Sequence, residues 1–476
     1  MAAISFEDYV QRDATALAEG VRDKDFTALE LLETAIARAE AVNPKINALA
    51  EKLYDHGRAA AAAPQPQGSF AGVPWAVKDL AAHVAGTPMR SGSRAFKDFV
   101  STYDSELVGR FKKAGFVIFA KSTTPEFGIT TSTESLLHGN TANPWDLTRT
   151  SGGSSGGASA MVAAGILPAA HATDGGGSIR IPAASCGLFG LKPSRGRVPM
   201  GPDRTEGWNG LSTGLAVTRS VRDMGAILDA VHGVEPGSRY SAPPPATTFL
   251  DAVIRAPGRL RIALQLTPAS GSAVDPECIA AAREAASLCE RLGHHVEEAA
   301  PNIDIKRIAA GATVVIAVAI ARTFDMRAEA LGRTVHDDDM EPVTRYYYEA
   351  GKAATGVQIA DADEAFMVGA VALARFMERY DVILSPTIAQ PPLKLGMMSL
   401  NQPIADYGRH VGGYAAFCGI ANQTGVPSMS VPLGWSKDGL PIGIMFTGRY
   451  GSEELLLSLA GQLEQASPWF GKRAPL

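Results

Sequence analysis

Apolar and polar residues along the chain follow two spacings, one typical of helices and the other of buried strands. The spacing predicts helices at 27–42, 104–115, 158–164, 277–292 and 362–379. Short apolar runs predict buried strands at 73–78, 116–120, 166–172, 380–385, 428–433 and 442–447. Strands that alternate with helices favour an α/β fold, in which a large mixed, mostly parallel β-sheet core is covered by helices on both faces.

No segment of the chain has the composition of a separate folding unit, so we expect one domain over 1–476. About 205–375 is predicted to be a helical insertion or lid, and 380–470 is expected to return to the core.

The charge balance and the cysteines narrow the class of protein. The 44 basic and 49 acidic residues give a net charge of −5, which argues against a nucleic-acid-binding protein. The four cysteines form no CxxC pair, which argues against a zinc ribbon or a redox dithiol and favours a reducing compartment. The N-terminus lacks the features of a signal peptide, and the longest apolar run, 308–321, is shorter than the roughly 20 residues of a membrane span. We therefore expect a soluble, cytoplasmic protein without a nucleic-acid or membrane partner.

Glycine accounts for 49 of the 476 residues and concentrates in two runs. The run 152–157 contains Ser154 and Ser155, and the run 174–178 ends on Ser178. Such loops are often only flexible or tightly packed connections, but glycine also lets backbone amides point at a ligand. Phosphate binding is disfavoured, because the nearest approach to a GxxxxGK[ST] loop, 115–122, has a hydrophobic centre and the GxGxxG fingerprint is missing.

A nucleophilic serine is the other interpretation of these loops. Gly152-x-Ser154-x-Gly156 and an overlapping match one residue later fit the GxSxG elbow, although a Gly/Ser run fits it easily by chance. That elbow also needs a downstream histidine, and no histidine in this sequence has a suitable context. Lys78 is the alternative base, because it ends a buried strand, where an unpaired ammonium is costly and a neutral amine is favoured. An ion pair with Asp79 is the structural alternative for this lysine.

Several groups of residues together resemble the amidase signature family. They are Lys78, the run 152–157, Asp174-x-x-Gly177-Ser178-Ile179-Arg180-Ile181-Pro182, and Gly187-Leu-Phe-Gly190-Leu-Lys192-Pro193. The resemblance is strong over about 70–200, returns at 381–386 and 422–443, and is weak over 205–375. His171-Ala-Thr-Asp174 and the stretch 196–202 look most like the branch that hydrolyses the cyclic dimer of 6-aminohexanoate. The resemblance implies the amidase signature fold and a single amidase domain, with 70–200 as its signature core.

The resemblance also implies a Ser–cisSer–Lys triad. By position, Ser178 is the nucleophile, Ser154 is the bridging serine after a cis Gly153–Ser154 peptide bond, and Lys78 is the base. Neutral Lys78 would draw a proton from Ser154, which would draw one from Ser178, so that Ser178 attacks an amide carbonyl and forms an acyl-enzyme. This chemistry needs no metal and no organic cofactor.

The loop around the nucleophile supplies the expected oxyanion hole and its support. The backbone amides expected to stabilise the oxyanion are those of Gly175, Gly176, Gly177 and Ser178. Asp174 and Arg180 flank the loop, and we expect them to form a buried charge pair beneath it. Gly175 stands where the family usually has Thr or Ile, and it is expected to open space near the oxyanion hole and to loosen the loop.

The substrate is predicted from the residues that the resemblance places beside the acyl pocket. These are Gly128, Ile129 and Thr130, with Ser155 as a further substrate-binding candidate. The segment is small and uncharged, with no arginine to bind a carboxylate, so a neutral, fairly apolar acyl group is expected. Linear or cyclic amides, anilides, carbamates and reactive esters are all candidates, because they form the same kind of tetrahedral intermediate. Ser155 and Thr173 are also polar neighbours able to orient the triad.

Two other functions remain open at this point. The glutamine-hydrolysing subunit of the tRNA-dependent amidotransferase shares the triad and works in a complex, although 123–128 departs from its pattern. A catalytically silent binding protein on the same scaffold is the second, although the three triad residues are all present. The expected partner is a small-molecule amide or carbamate, and the family implies a homodimer.

Overall fold

The computed structural model describes residues 4–476. Residues 1–3, on which the expectation of no signal peptide partly rests, lie outside the described residues. The helices in chain order are α1 (Phe6–Val10), α2 (Ala14–Asp23), α3 (Ala28–Ile46), α4 (Tyr54–Ala62), α5 (Glu106–Ala114), α6 (Gly156–Ala163), α7 (Arg180–Cys186), α8 (Val221–Val231), α9 (Phe249–Ile254), α10 (Pro276–Arg291), α11 (Ile305–Leu331), α12 (Pro342–Ala353), α13 (Gly356–Phe376), α14 (Ile404–Tyr414), α15 (Ile420–Thr424) and α16 (Glu453–Ala466). The strands are β1 (Leu49–Lys52), β2 (Pro74–Lys78), β3 (Val117–Ser122), β4 (Glu134–Ser135), β5 (Gly139–Asn140), β6 (Ala142–Asn143), β7 (Asp146–Thr150), β8 (Ala169–Asp174), β9 (Phe189–Lys192), β10 (Thr213–Thr218), β11 (Arg261–Leu264), β12 (His295–Glu298), β13 (Val382–Pro386), β14 (Ser428–Trp435) and β15 (Pro441–Gly448).

Each predicted helix and strand overlaps an observed one. The helix α3 shows how an observed boundary differs from the predicted one. Thr27 and Glu30 form a capping box at its start, in which each side chain accepts a hydrogen bond from the other residue's backbone amide. The helix does not stop before Pro44 but continues to Ile46. Pro44 lies in the last turn, where its missing N–H costs a single hydrogen bond.

A large mixed sheet forms the centre of the molecule and is flanked by helices, which confirms the predicted α/β class. Within residues 4–476 this sheet has eight strands in the order β12-β11-β13-β15-β14-β9-β10-β8. A second sheet has the order β1-β3-β2. The strands β2 and β8 are buried along their whole length and pack against each other, which brings their ends together.

The expectation that the large sheet would be mostly parallel is wrong. Across the described chain, five of its seven neighbouring strand pairs are antiparallel, and only β11 with β12 and β11 with β13 are parallel. The strands β8 and β9, joined through α7, do run in the same direction, but β10 lies between them and is antiparallel to both. The strands β14 and β15 form an antiparallel hairpin. Alternation along the sequence therefore gave the relative direction of β8 and β9 but not their neighbours.

The segment 205–375 is less purely helical than predicted, because it contributes β10, β11 and β12 to the large sheet. The strand β12 was missed because it lies at the edge of the sheet and is mostly exposed, so it lacks a continuous apolar run. The division of the chain into a core and an insertion stays a prediction.

The helix α11 extends well beyond the apolar run from which the absence of a membrane span was predicted. By length and composition alone, this 27-residue helix is able to cross a membrane. The core helix of a soluble protein meets the same criteria, and α11 packs against α12 and α13.

Candidate active site

Lys78 is the last residue of β2, and its side chain is fully buried. Its Nζ lies within hydrogen-bond distance of three hydroxyl groups: Ser154 Oγ at 2.7 Å, Ser155 Oγ at 2.9 Å and Thr173 Oγ1 at 2.9 Å. Its backbone amide donates to His171 Nδ1 at 3.2 Å, so this histidine makes a local structural contact. The lysine is thus held among hydroxyl groups, and the alternative of an ion pair with Asp79 is not what the structure shows.

The environment of Lys78 favours its neutral form. Burial lowers the pKa of the Lys78 ammonium to about 7, although the nearby Asp174 carboxylate acts in the opposite direction. Burial, together with the charges of Lys78 and Lys121, also keeps the pKa of His171 well below its usual value, so that this imidazole is neutral. A lysine with a pKa near 7 has a sizeable neutral fraction at neutral pH and is able to act as a base.

The first glycine run places Ser154 between Lys78 and the segment that begins at Gly128. The Gly153–Ser154 peptide bond is cis, as the resemblance implied. A Cβ on Gly153 would lie 2.5 Å from the backbone oxygen of Ser132, so a side chain has no room there. A Cβ on Gly128 would lie 2.9 Å from Ser154 Oγ, which explains the glycine that faces this hydroxyl.

The second glycine run forms a turn between β8 and α7 that is built around the Asp174 carboxylate. The backbone amide of Gly177 donates to Asp174 Oδ1 at 2.7 Å, and that of Ile179 donates to Oδ2 at 3.1 Å. Because the Gly177 amide is already engaged in this bond, its predicted place in the oxyanion hole does not fit this geometry. Of the predicted donors, the amides of Gly175, Gly176 and Ser178 remain.

Asp174 and Arg180 form the predicted buried ion pair beneath this loop. Arg180 donates from Nε to Asp174 Oδ2 and from Nη2 to Oδ1, both at 3.0 Å, and both side chains are fully buried. Burial alone would raise the pKa of Asp174, but the Arg180 guanidinium and the Lys192 ammonium hold it well below its usual range. The carboxylate is therefore ionised and rigidly held.

Asn422 completes this cluster and was not singled out from the sequence. Its Nδ2 donates to Asp174 Oδ1 at 2.9 Å and to the backbone oxygen of Leu211 at 3.0 Å, and its Oδ1 accepts from Arg180 Nη2 at 2.7 Å. The one available signal was its position at the start of 422–443, a segment in which the resemblance to the family returns.

A cavity of about 850 Å³ lies beside these loops. Ser154, Thr173, Gly175 and Ser178 line it, together with Gly128. The larger apolar and aromatic residues that line it are Leu80, Met89, Phe96, Phe99, Tyr103, Phe127, Met200, Trp208, Val315, Val318, Ile320, Met326 and Ile359. The charged residues that line it are Asp203, Arg204, Glu206, Arg322 and Arg327. The cavity is large enough for a small organic substrate and gives it access to Ser154 and Ser178.

Three of the predicted substrate-binding residues are not part of the cavity lining. Thr130 is buried and its Oγ1 donates to the backbone oxygen of Met398 at 2.9 Å. The backbone oxygen of Ile129 accepts from the hydroxyl of Tyr407 at 3.1 Å. Ser155 lies beneath the cavity, where it accepts from Lys78. The segment 128–130 therefore reaches the cavity through Gly128, and Ser155 contacts Lys78 rather than the cavity.

The expectation that Gly175 opens space near the oxyanion hole is also wrong. A Cβ on Gly175 would lie 2.6 Å from Trp208 Cζ3 and 2.7 Å from Trp208 Cε3. The volume that the missing side chain leaves is filled by this indole. The sequence shows which side chain is absent, but it does not show which distant residue takes the space.

The site thus combines a buried lysine with a lowered pKa, a serine in contact with it, and a further serine that precedes α7 beside a cavity. The family described as Amidase matches residues 30–457, and the chain belongs to this family. It is an amidase signature enzyme, a hydrolase that acts on amides.

The predicted resemblance to one branch of the family is confirmed. The 6-aminohexanoate-cyclic-dimer hydrolase of Pseudomonas sp. (strain NK87) is 38% identical, over 98% of this chain and 97% of that protein. A solved structure of 6-aminohexanoate cyclic dimer hydrolase superposes with a TM-score of 0.94 at 36% identity, covering 98% of this chain and 99% of that one. A bacterial aryl acylamidase superposes with a TM-score of 0.88 at 26% identity, covering 98% and 99% of the two chains. The fold is therefore that of the amidase signature enzymes.

Proposed function

We propose that this enzyme hydrolyses neutral, fairly apolar amides through an acyl-enzyme on Ser178. The observation that supports this most directly is the 2.7 Å contact between Lys78 Nζ and Ser154 Oγ at the edge of the cavity that Ser178 also lines. A lysine with a pKa of about 7 is able to accept a proton that a lysine in water would not accept near neutral pH.

The proposed reaction uses side chains and backbone amides only. Neutral Lys78 accepts the Ser154 proton while Ser154 Oγ accepts the proton of Ser178, and Ser178 Oγ attacks the carbonyl carbon. The amides of Gly175, Gly176 and Ser178 stabilise the oxyanion that forms. Ser154 then passes its proton to the leaving nitrogen as the C–N bond breaks, and the Lys78 ammonium returns a proton to Ser154 Oγ, which makes the lysine neutral again. Water, deprotonated by the same route, attacks the acyl-enzyme and releases the acid.

The predominantly apolar lining supports the proposed substrate class. Arg327 does not point to an acidic substrate, because its Nε donates to the backbone oxygen of Ala95 and its guanidinium lies over the Phe96 ring. Arg204 and Arg322 are exposed. They line the same cavity as the acidic residues Asp203 and Glu206. Nylon-oligomer-like amides and anilides suit such a cavity, and the names of the relatives support both. Carbamates and esters are included in the proposal, because the same intermediate serves them.

Fluorophosphonate labelling followed by peptide mapping tests the nucleophile and the base together. We expect one adduct, on Ser178, and much slower labelling in Lys78→Met. Lys121→Met is a matched control, because Lys121 is also a buried lysine at the end region of a strand, but its Nζ contacts the backbone oxygen of Ala82. An adduct on Ser154 or Ser155, or equal labelling of the two variants, would contradict the proposed roles.

A substrate screen distinguishes the proposal from its alternatives. Hydrolysis of apolar amides by the isolated chain supports it, whereas glutamine hydrolysis that rises only with partner subunits would support an amidotransferase subunit. Labelling of Ser178 without turnover of any amide, carbamate, ester or glutamine would support a silent scaffold.

The location and the oligomeric state belong to the same proposal. We propose a cytoplasmic enzyme, because all four cysteines are free thiols and buried, as a reducing compartment favours. We also propose the homodimer that the family implies, without a nucleic-acid or membrane partner. Sedimentation of the purified protein tests the oligomeric state, and a monomer at micromolar concentration would contradict it.

A further inference from the structure

The loop 207–212 carries Trp208 into the cavity on a tightly closed backbone. The amide of Ser212 donates to the backbone oxygen of Gly207, and that of Leu211 donates to the backbone oxygen of Trp208, both at 3.1 Å. Trp208 and Asn209 have φ values of 50° and 51°, in the left-handed region that residues with a side chain seldom occupy. The loop therefore has a defined shape that presents the indole in one place.

Three contacts fix this loop to the rest of the site. Arg195 Nε donates to the backbone oxygen of Gly210 at 2.6 Å, and Asn209 Nδ2 donates to Asp363 on α13. Asn422 Nδ2 donates to the backbone oxygen of Leu211, and the same nitrogen donates to Asp174. Asn422 thus contacts both the carboxylate that holds the nucleophile loop and the backbone of the Trp208 loop.

The indole and Gly175 are complementary in size. Atoms Cζ3 and Cε3 of Trp208 occupy the place that any side chain on residue 175 would need. Gly175 follows Asp174 directly and precedes Ser178 by three positions, so the indole lies against the proposed oxyanion loop. The indole atoms nearest to residue 175 are ring carbons, so this part of the side chain presents an apolar surface to the loop.

We propose that Trp208 is a specificity-determining residue, which limits the bulk of the substrate group beside the reacting carbonyl. The inference rests on the proposed hydrolysis at Ser178. A straight methylene chain or a flat ring fits along the face of an indole, whereas a branched carbon next to the carbonyl would collide with it. The preferred substrates are therefore amides that are unbranched, or planar, at the positions next to the scissile bond.

The test compares kcat/KM for pairs of amides that differ only in branching next to the scissile bond, with the acyl side and the amine side varied separately. In Trp208→Ala we expect the branched-to-straight ratio to rise about tenfold or more in at least one series, as expected when a pocket gains room for added methyl groups. Trp208→Phe should give a smaller rise, because it keeps a flat ring. Trp435→Ala, at a tryptophan outside the cavity lining, should leave the ratio unchanged.

A second variant pair tests the contact itself. Gly175→Ala should lower kcat/KM strongly, because the new Cβ would lie 2.6 Å from the indole. Adding Trp208→Ala should then restore much of that loss, so that the two substitutions are not additive. Relative labelling by slim and bulky fluorophosphonates gives the same comparison without turnover.

The outcomes separate the two proposals. A branched-to-straight ratio that is unchanged in both Trp208 variants, or additive effects of Gly175→Ala and Trp208→Ala, would overturn the role of Trp208 while leaving the hydrolase intact. A wild-type protein that neither turns over any amide nor labels on Ser178 would instead overturn the proposed function. If Trp208→Ala does not fold, Trp208→Phe and the slim-to-bulky labelling ratio decide the question.

Discussion

The backbone amide of Gly177 donates a 2.7 Å hydrogen bond to Asp174 Oδ1, so a buried carboxylate holds the loop that carries Ser178. The same carboxylate is paired with Arg180 and accepts from Asn422. The Asp174 carboxylate thus joins the backbone of the nucleophile loop to a charged side chain and to a polar one. We therefore expect the shape of the loop to depend on this charge.

Replacing this carboxylate should destabilise the protein. Asp174→Ala leaves the Arg180 guanidinium buried without its counter-charge, and we expect the free energy of unfolding to fall by about 3–5 kcal/mol. Urea unfolding measures this loss. Glu298→Ala breaks an exposed pair with Arg283 and should change stability little. Similar losses in the two variants would argue against a special role for the buried pair.

The pH profile of the reaction should follow the titration of Lys78. The proposed base is active when neutral, and the pKa of Lys78 is lowered by burial to about 7. The value of kcat/KM should therefore rise as the pH increases through about 7 and level off above it. Initial rates on a substrate without ionisable groups give this profile. A rate that falls steadily over the same range, with the fold intact, would contradict neutral Lys78 as the base.

Ser155 should affect turnover rather than substrate binding. It accepts from Lys78 Nζ at 2.9 Å and its own hydroxyl donates to the backbone oxygen of Thr173 at 3.1 Å. In Ser155→Ala the lysine loses one buried partner, and we expect kcat to fall about tenfold with little change in KM. Steady-state kinetics separates the two constants. A rise in KM at constant kcat would return Ser155 to the substrate-binding role first predicted from the sequence.

Buried lysines should make the protein more stable as the pH rises above about 8. Burial lowers the pKa of Lys121 to about 8, whereas the unfolded lysine titrates near 10.5. Between these values the unfolded chain binds more protons, so the free energy of unfolding increases with pH. Lys121→Met should weaken this increase without abolishing it, because burial also lowers the pKa values of Lys78 and Lys192 to about 7.

Urea unfolding at several pH values between about 8 and 10 measures this dependence. Lys437→Met replaces a largely exposed lysine and should leave the dependence as it is in the wild type. The same slope in Lys121→Met and in the wild type would show that Lys121 keeps its ordinary pKa in the folded protein.

The sequence predicted the strands and loops of the site well, for a physical reason. The strands β2 and β8 are buried along their length, and their apolar and small residues made both predictable, with Lys78 standing out at the end of β2. The glycine runs mark close approaches of backbone, as at Gly153 against Ser132. Such features are local, so they are visible without knowing the neighbours.

Features that depend on distant partners were not predictable in the same way. Asn422 and Trp208 act through contacts with Asp174 and Gly175, and neither has a spacing or a motif of its own that shows this. The oxyanion amides were predicted as a group, but the choice among them depends on the bond between Gly177 and Asp174. The neighbours of each strand likewise depend on how β10 inserts between β8 and β9.

The helix α11 provides one side of the cavity and is separate in sequence from the residues around Ser178. Val315, Val318, Ile320 and Met326 lie on this helix. The residues proposed to transfer protons lie on β2 and on the loops before α6 and α7. Substitutions on α11 are therefore able to change which substrates fit the cavity without replacing any residue that is proposed to transfer protons. Evolution of new substrate preferences in one helix is then compatible with inheritance of the same chemistry.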